Sequence, residues 1–271
     1  MDPVARVRSV AFRGHGVSTA DRAIPEETAV AFTYDGSTHA VMMATPQDLE
    51  DLAVGFSLTE GIVVSPSEIR DLRVVGEDAG IELRMWLNEA PGVALRDRRR
   101  HIAGPTGCGL CGIESLDEAV RPARHVAGGG SFTPSEIMQA MEALAPLQAL
   151  NRETHAVHAA AFWTRDAGSV LLREDVGRHN ALDKLVGAMA RAGISGRDGL
   201  LLLTSRVSVE MVQKAAMAGI PTLVAVSAPT ALAVRTADAA GITLAAVARR
   251  DGFEVFAHPQ RIAVEAVADV A

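Results

Sequence analysis

Two cysteines, Cys108 and Cys111, stand three apart in the stretch GCGLCG, and the 271-residue chain contains no others. A Cys-x-x-Cys pair supports half of a zinc site, a dithiol redox centre, or a nucleophilic thiol with a helper. Zinc needs two further ligands at fixed spacing. There is no second cysteine pair, although His155 and His158 in THAVH leave a mixed site conceivable. A zinc nucleoside deaminase places His-x-Glu ahead of its cysteines. Here Ala159 and Ala160 follow His158 and the cysteines come first, so deamination is excluded and no metal is expected. A redox dithiol normally links a strand to a helix inside a compact fold, whereas glycines flank this pair on both sides and suit a thiol that travels. Arg96, Arg98, Arg99, Arg100 and His101 would favour a thiolate or persulfide anion if they fold over it. A merely solvated arginine face is the plainer reading.

Three further polar clusters follow apolar runs. REDVGRHNALDK, residues 173–184, is readable as a salt-bridged helix start or as a ligand rim. TSRVSVEMVQK, residues 204–214, sets Ser205, Arg206 and Ser208 where backbone N–H groups and a guanidinium would hold phosphate. Arg249-Arg250-Asp251-Gly252 is a third polar turn, with two guanidiniums suited to a pyrophosphate. Lys184 and Lys214 are the only lysines in a chain that otherwise uses arginine, and both fall inside these segments. That pattern hints that an ammonium is wanted at the rim.

The elements that must position these groups divide the chain in two. Residues 1–106 read as a small α+β domain, with β-rich runs at 28–34 and 37–43 joined by Asp35-Gly36, and an amphipathic helix over 47–60. Further β-like runs occupy 70–75 and 81–87. Residues 107–130 read as a mobile Cys-x-x-Cys loop and connector, ending in a triple glycine. Residues 131–271 alternate strands at 156–163, 169–173, 199–204, 222–226 and 243–248 with helices at 134–150, 178–192, 209–218 and 229–240. Near-continuous apolar strands such as LLLL and TLVAV predict burial on both faces, hence a mainly parallel α/β sheet with helices on each side. Ligands then sit beyond the carboxyl ends of the strands.

Composition narrows the function class. Hydrophobic residues at 48% and charged ones at 22% describe an ordinary globular protein. A net charge of -7 offers no basic field for nucleic acid. No secretory signal or membrane-spanning run is read, so a cytoplasmic protein without a membrane partner is expected.

CGLCG, HAAA, REDVGRHNALDK, SRVSVEMVQKAAMAGIP and AVSAPTALAV, in this order and spacing, resemble the FdhD family of formate dehydrogenase accessory proteins. TPQDLEDLAVGFSLTEGI is similar to that family's N-terminal helix, so the likeness runs from about residue 45 to 262. The resemblance implies a C-terminal three-layer sandwich of cytidine-deaminase type beside the smaller N-terminal domain. It also implies a sulfurtransferase that takes sulfane sulfur from a cysteine desulfurase as a persulfide on Cys108, with Cys111 beside it. The sulfur would pass to the Mo-bis(molybdopterin guanine dinucleotide) cofactor, bound as a substrate, before that cofactor enters formate dehydrogenase. The family's cofactor-contacting turn corresponds to Val247, Ala248, Arg249, Arg250, Asp251 and Gly252, and we add Arg206, Lys184, His158 and His179 as rim residues. Guanine nucleotides would mimic the cofactor, no permanent cofactor is expected, and a homodimer is the expected assembly. A thiol-disulfide oxidoreductase and a non-catalytic cofactor-binding chaperone are the alternatives.

Overall fold

A computed structural model describes residues 1–14, 16–100, 122–165 and 170–263, with only the backbone of residues 96–100. In the N-terminal lobe, β3 (Thr28–Tyr34), β4 (Ser37–Ala44), β5 (Ile69–Glu77) and β6 (Gly80–Leu87) form a sheet of order β4-β3-β6-β5. Asp35 and Gly36, at φ 48° and 79°, make the tight β3–β4 turn that their types predict. Alternate residues Val30 and Phe32 of β3 and Ile81 and Leu83 of β6 point to one face. Helix α1 (Leu49–Thr59) covers that face with Leu52, Ala53 and Phe56. Two elements go beyond the sequence reading. The chain opens with an antiparallel ribbon of β1 (Val4–Arg13) and β2 (Gly16–Pro25), and α2 (Glu89–Arg100) carries the arginine cluster on helical backbone.

The C-terminal lobe is built on a six-stranded sheet of order β12-β11-β10-β9-β7-β8. Its strands are β7 (His158–Thr164), β8 (Val170–Asp175), β9 (Gly199–Leu203), β10 (Thr222–Ala225), β11 (Thr243–Arg249) and β12 (Gly252–Ala257). Only the β9–β10 and β10–β11 pairings are parallel. β7–β8, β7–β9 and β11–β12 are antiparallel, so the sheet is mixed rather than mainly parallel. The apolar strands report burial on both faces correctly, but helix layers supply that burial whatever the strand direction. Helices α3 (Pro134–Glu142) and α4 (Leu144–Leu147) pack on one face. Helices α6 (Arg178–Arg191), α7 (Val209–Met217) and α8 (Ala231–Ala240) pack on the other, completing three layers. The single helix expected over 134–150 is broken, because Pro146 has no N–H to continue it. It resumes as α5 (Ala149–Thr154), whose first N–H groups, on Leu150 and Asn151, donate to Glu174 at 2.8 Å each. No helix among the described residues is long and apolar enough to cross a membrane.

The two lobes meet where α1 lies across α6. Backbone touches backbone there: a Cβ on Gly55 would fall 1.7 Å from the Asp183 carbonyl oxygen, and one on Gly187 would fall 1.9 Å from that of Asp51. Buried ions line the crossing. Lys214 Nζ donates to Asp183 Oδ1 at 2.9 Å, Glu60 Oε1 at 2.8 Å and Thr59 Oγ1 at 2.9 Å. Arg173 and Arg191 both grip Asp51, at 2.7 and 2.6 Å. Lys184 corrects a sequence expectation. Its ammonium has no exposure and donates to Asp175 Oδ2 at 2.6 Å and the Thr45 carbonyl at 3.0 Å, so it fastens the lobes and does not reach the rim.

Candidate functional site

Strands β8, β9, β10 and β11 end at one edge of the large sheet, and antiparallel β7 begins there, with His158 opposite Asp175. The loops at this edge hold the polar residues. After β9, Thr204 Oγ1 accepts from the Ala159 N–H at 2.9 Å and the Ser205 hydroxyl donates to the Arg206 carbonyl at 3.0 Å. These bonds fix a loop from which Arg206 projects exposed. After β10, Val226 and Ser227 offer their carbonyls across to β11: Arg249 Nη1 donates to Val226 O, and the Val247 N–H donates to Ser227 O at 3.4 Å.

Val247 has φ 55°, at an irregularity between Ala246 and Arg249 in the β11–β12 pairing. A β-branched residue in the left-handed region is strained, by about 1–3 kcal/mol, and such strain gathers where backbone is aimed at a ligand. Ala248 is buried in the core beneath the helix layer of α3 and α4, so from this residue only the backbone is available to a ligand. Arg250 and Asp251 form the exposed tip, and Gly252, at φ 141°, returns the chain into β12.

REDVGRHNALDK divides by function. Arg173, Glu174, Asp175, Asn180, Asp183 and Lys184 are committed to structure: Glu174 caps α5, Asp175 holds Lys184 and Asn180, and Asp183 holds Lys214. Arg178 and His179, in the first turn of α6, are left for the rim. Burial, then Arg178, lowers the His158 pKa, with Arg206 adding to Arg178 and Asp175 opposing, so the ring is neutral at pH 7. His179 is pushed down to about 4 by burial, then Arg178 and Lys214, against Glu210 and Glu60. Glu210, in the first turn of α7, completes the group. Burial alone would raise its pKa, but the Ser208 hydroxyl, its own N–H, His179 and Arg178 outweigh burial and lower it.

His179 Nε2 and Glu210 Oε2 are 4.0 Å apart. Both atoms, with Arg178 Nε, are buried without a hydrogen-bond partner among the described residues. Arg178 falls within the 173–184 cluster that the sequence offers as a rim, whereas Glu210 does not stand out there. Glu210 has the look of a routine acidic first-turn residue complementing the helix dipole, which hides it.

The structure therefore gathers Arg206, His158, His179 and the 247–252 turn along one edge and removes Lys184 from it. Cys108 and Cys111 lie outside the described residues. Among the described residues no cluster of histidine, cysteine and carboxylates could hold a metal.

The FdhD/NarQ family model matches residues 25–263. The chain belongs to the FdhD/NarQ family. Relatives named sulfur carrier protein FdhD are 55% identical over 258 residues in Agrobacterium fabrum, covering 95% of each chain, and 51% identical over 257 residues in Brucella abortus, covering 94% of this chain and 96% of that one. A crystal structure from Desulfotalea psychrophila, described as a formate dehydrogenase accessory protein, matches with a TM-score of 0.76 and 25% identity. It covers 97% of this chain and all of that one. The likeness spans the fold almost end to end, so the mixed three-layer sandwich belongs to an architecture that FdhD/NarQ chains share.

Proposed function

We propose that this FdhD/NarQ member is a sulfur carrier acting as a sulfurtransferase in formate dehydrogenase maturation. The observation that carries the reading is identity of up to 55%, over nearly the whole chain, with proteins named sulfur carrier protein FdhD. GCGLCG supplies the chemistry. The Cys108 thiolate attacks the terminal sulfur of a cysteine desulfurase persulfide, and the donor cysteine leaves as its thiolate. One sulfur atom moves between thiolates with no net oxidation. Cys111 assists from three residues away.

The acceptor in this reading is the Mo-bis(molybdopterin guanine dinucleotide) cofactor, held as a substrate at the strand-end rim. Arg206, Arg249 and Arg250 offer guanidiniums to its phosphates, and His158 and His179 stand beside them with rings that are neutral in the ligand-free protein. The strained Val247 backbone suits a close approach by the ligand.

Mass spectrometry after incubation with a cysteine desulfurase and cysteine tests the carrier step. One additional sulfur on Cys108 is expected. An intramolecular disulfide alone would make the chain an oxidoreductase. Undiminished maturation of formate dehydrogenase by the Cys108→Ala protein would make it a binding chaperone.

A further inference from the structure

We propose that His179 and Glu210 form a proton-linked latch between the first turns of α6 and α7, which closes when an anion occupies the rim beside Arg178. The latch rests on the rim binding phosphate-bearing ligands, as in the proposed function, and concerns how the protein registers that binding.

The geometry is of two halves of a contact left unmade. At 4.0 Å, His179 Nε2 and Glu210 Oε2 are beyond hydrogen-bond reach, yet neither atom is open to water or bonded to another group among the described residues. Folded proteins seldom leave two buried polar atoms facing each other in this way. A neutral ring with its hydrogen on Nε2 would already donate to Glu210, so the 4.0 Å gap fits the other tautomer, with its hydrogen on Nδ1 and a lone pair turned toward the carboxylate. With a proton on Nε2 the same atom becomes a charge-assisted donor, whose preferred length is well under the present gap.

The charges facing the ring come from three elements. Arg178 belongs to α6, Glu210 and Lys214 to α7, and Glu60 follows α1. Lys214 is already held by Asp183, Glu60 and Thr59, so its field is fixed. Arg178 is the member that a ligand can change. Its Nε has no partner, and its charge acts on His158, which also feels Arg206. An anion between these guanidiniums cancels the field that keeps His179 neutral. The ring then takes one proton from solvent and donates it to Glu210, drawing the two helix starts together. Because burial and Arg178 push the pKa of the free ring down to about 4, proton uptake on closing falls at mildly acidic pH, and for an anion of fixed charge affinity rises as pH drops through that window.

The test is a histidine side-chain NMR titration of the full chain, with and without inorganic pyrophosphate. The His179 midpoint should rise by about one unit or more on saturation, and lowering the pH from 6 to 5 should favour pyrophosphate binding more in the parent than in Glu210→Gln, where the ligand's own protonation is the same. In Glu210→Gln the upward shift should shrink. If pyrophosphate perturbs the Arg206 loop but leaves the His179 midpoint in place, or if the shift is undiminished in Glu210→Gln, the latch is wrong and the anion rim stands. If no rim resonance responds to pyrophosphate, both readings fall together.

Discussion

At the level of single residues, the rim combines exposed guanidiniums with histidines kept neutral, and the two types predict different behaviour. Arg206 projects from its loop with its neighbours' hydrogen bonds already made, so Arg206→Ala should remove a charge-assisted contact without disturbing the fold. Calorimetry with GDP should show a loss of about 1.5–3 kcal/mol, roughly 10- to 160-fold in affinity. His179 bears on stability instead. Folding lowers its pKa from an ordinary 6.5 to about 4. Below pH 6.5 the unfolded chain takes up a proton that the folded protein refuses until about pH 4. Stability therefore falls as pH drops through that interval and is indifferent to this group above it. The imidazole is about one-third exposed, so solvent screening reduces the effect to about 1–2 kcal/mol. Urea midpoints at pH 7 and pH 4.5 should differ less for His179→Gln than for the parent, and an equal difference would mean the ring is not held neutral.

At the level of elements, the crossing of α1 over α6 is the contact that sets the fold's tolerance to change. Gly55→Ala puts a methyl into the Asp183 carbonyl, with backbone on both sides and no flexible side chain to yield. A loss of about 3 kcal/mol or more is expected in urea unfolding, and a neutral result would show that the helices can separate freely. Lys214→Met leaves Asp183 as a buried carboxylate that keeps the Thr59 hydroxyl as a donor but faces the Glu60 charge with no cation between them, which should cost about 3–5 kcal/mol. Adding Asp183→Asn should recover part of that loss.

The sequence made some of these elements plain and concealed others. β9 and β10 were legible because an unbroken apolar run between polar loops can only be accommodated with both of its faces covered. The β1–β2 ribbon was not, since none of its residues is buried, most are exposed, and no regular alternation of burial marks it. Helix α2 was obscured by an arginine run that resembles loop composition. The lysines misled for a related reason. Burial of an ammonium depends on carboxylates and carbonyls from distant segments, here Thr45, Glu60, Asp175 and Asp183, and local sequence does not display that convergence. Arg206, His158, His179 and the 247–252 turn come to one edge because the loops at these strand ends converge whatever the strand order, so an error about parallel pairing did not scatter them.

At the level of the whole molecule, the C-terminal lobe carries the rim at its strand ends, and the two cysteines fall between the two lobes in chain order. A carrier must do two things with this arrangement: load sulfur at the thiol and hold the acceptor at the strand ends. The rim can be probed with nucleotides, but the loading step decides whether the protein carries sulfur at all. That step is read from the intact and peptide mass of the full chain after incubation with a cysteine desulfurase and cysteine, run beside Cys108→Ala and Cys111→Ala. A sulfur carrier should show one added sulfur on the Cys108 peptide, its loss in Cys108→Ala, and its retention in Cys111→Ala. Sulfur loading that survives in Cys108→Ala, or a parent protein showing only a Cys108–Cys111 disulfide, would overturn the carrier assignment.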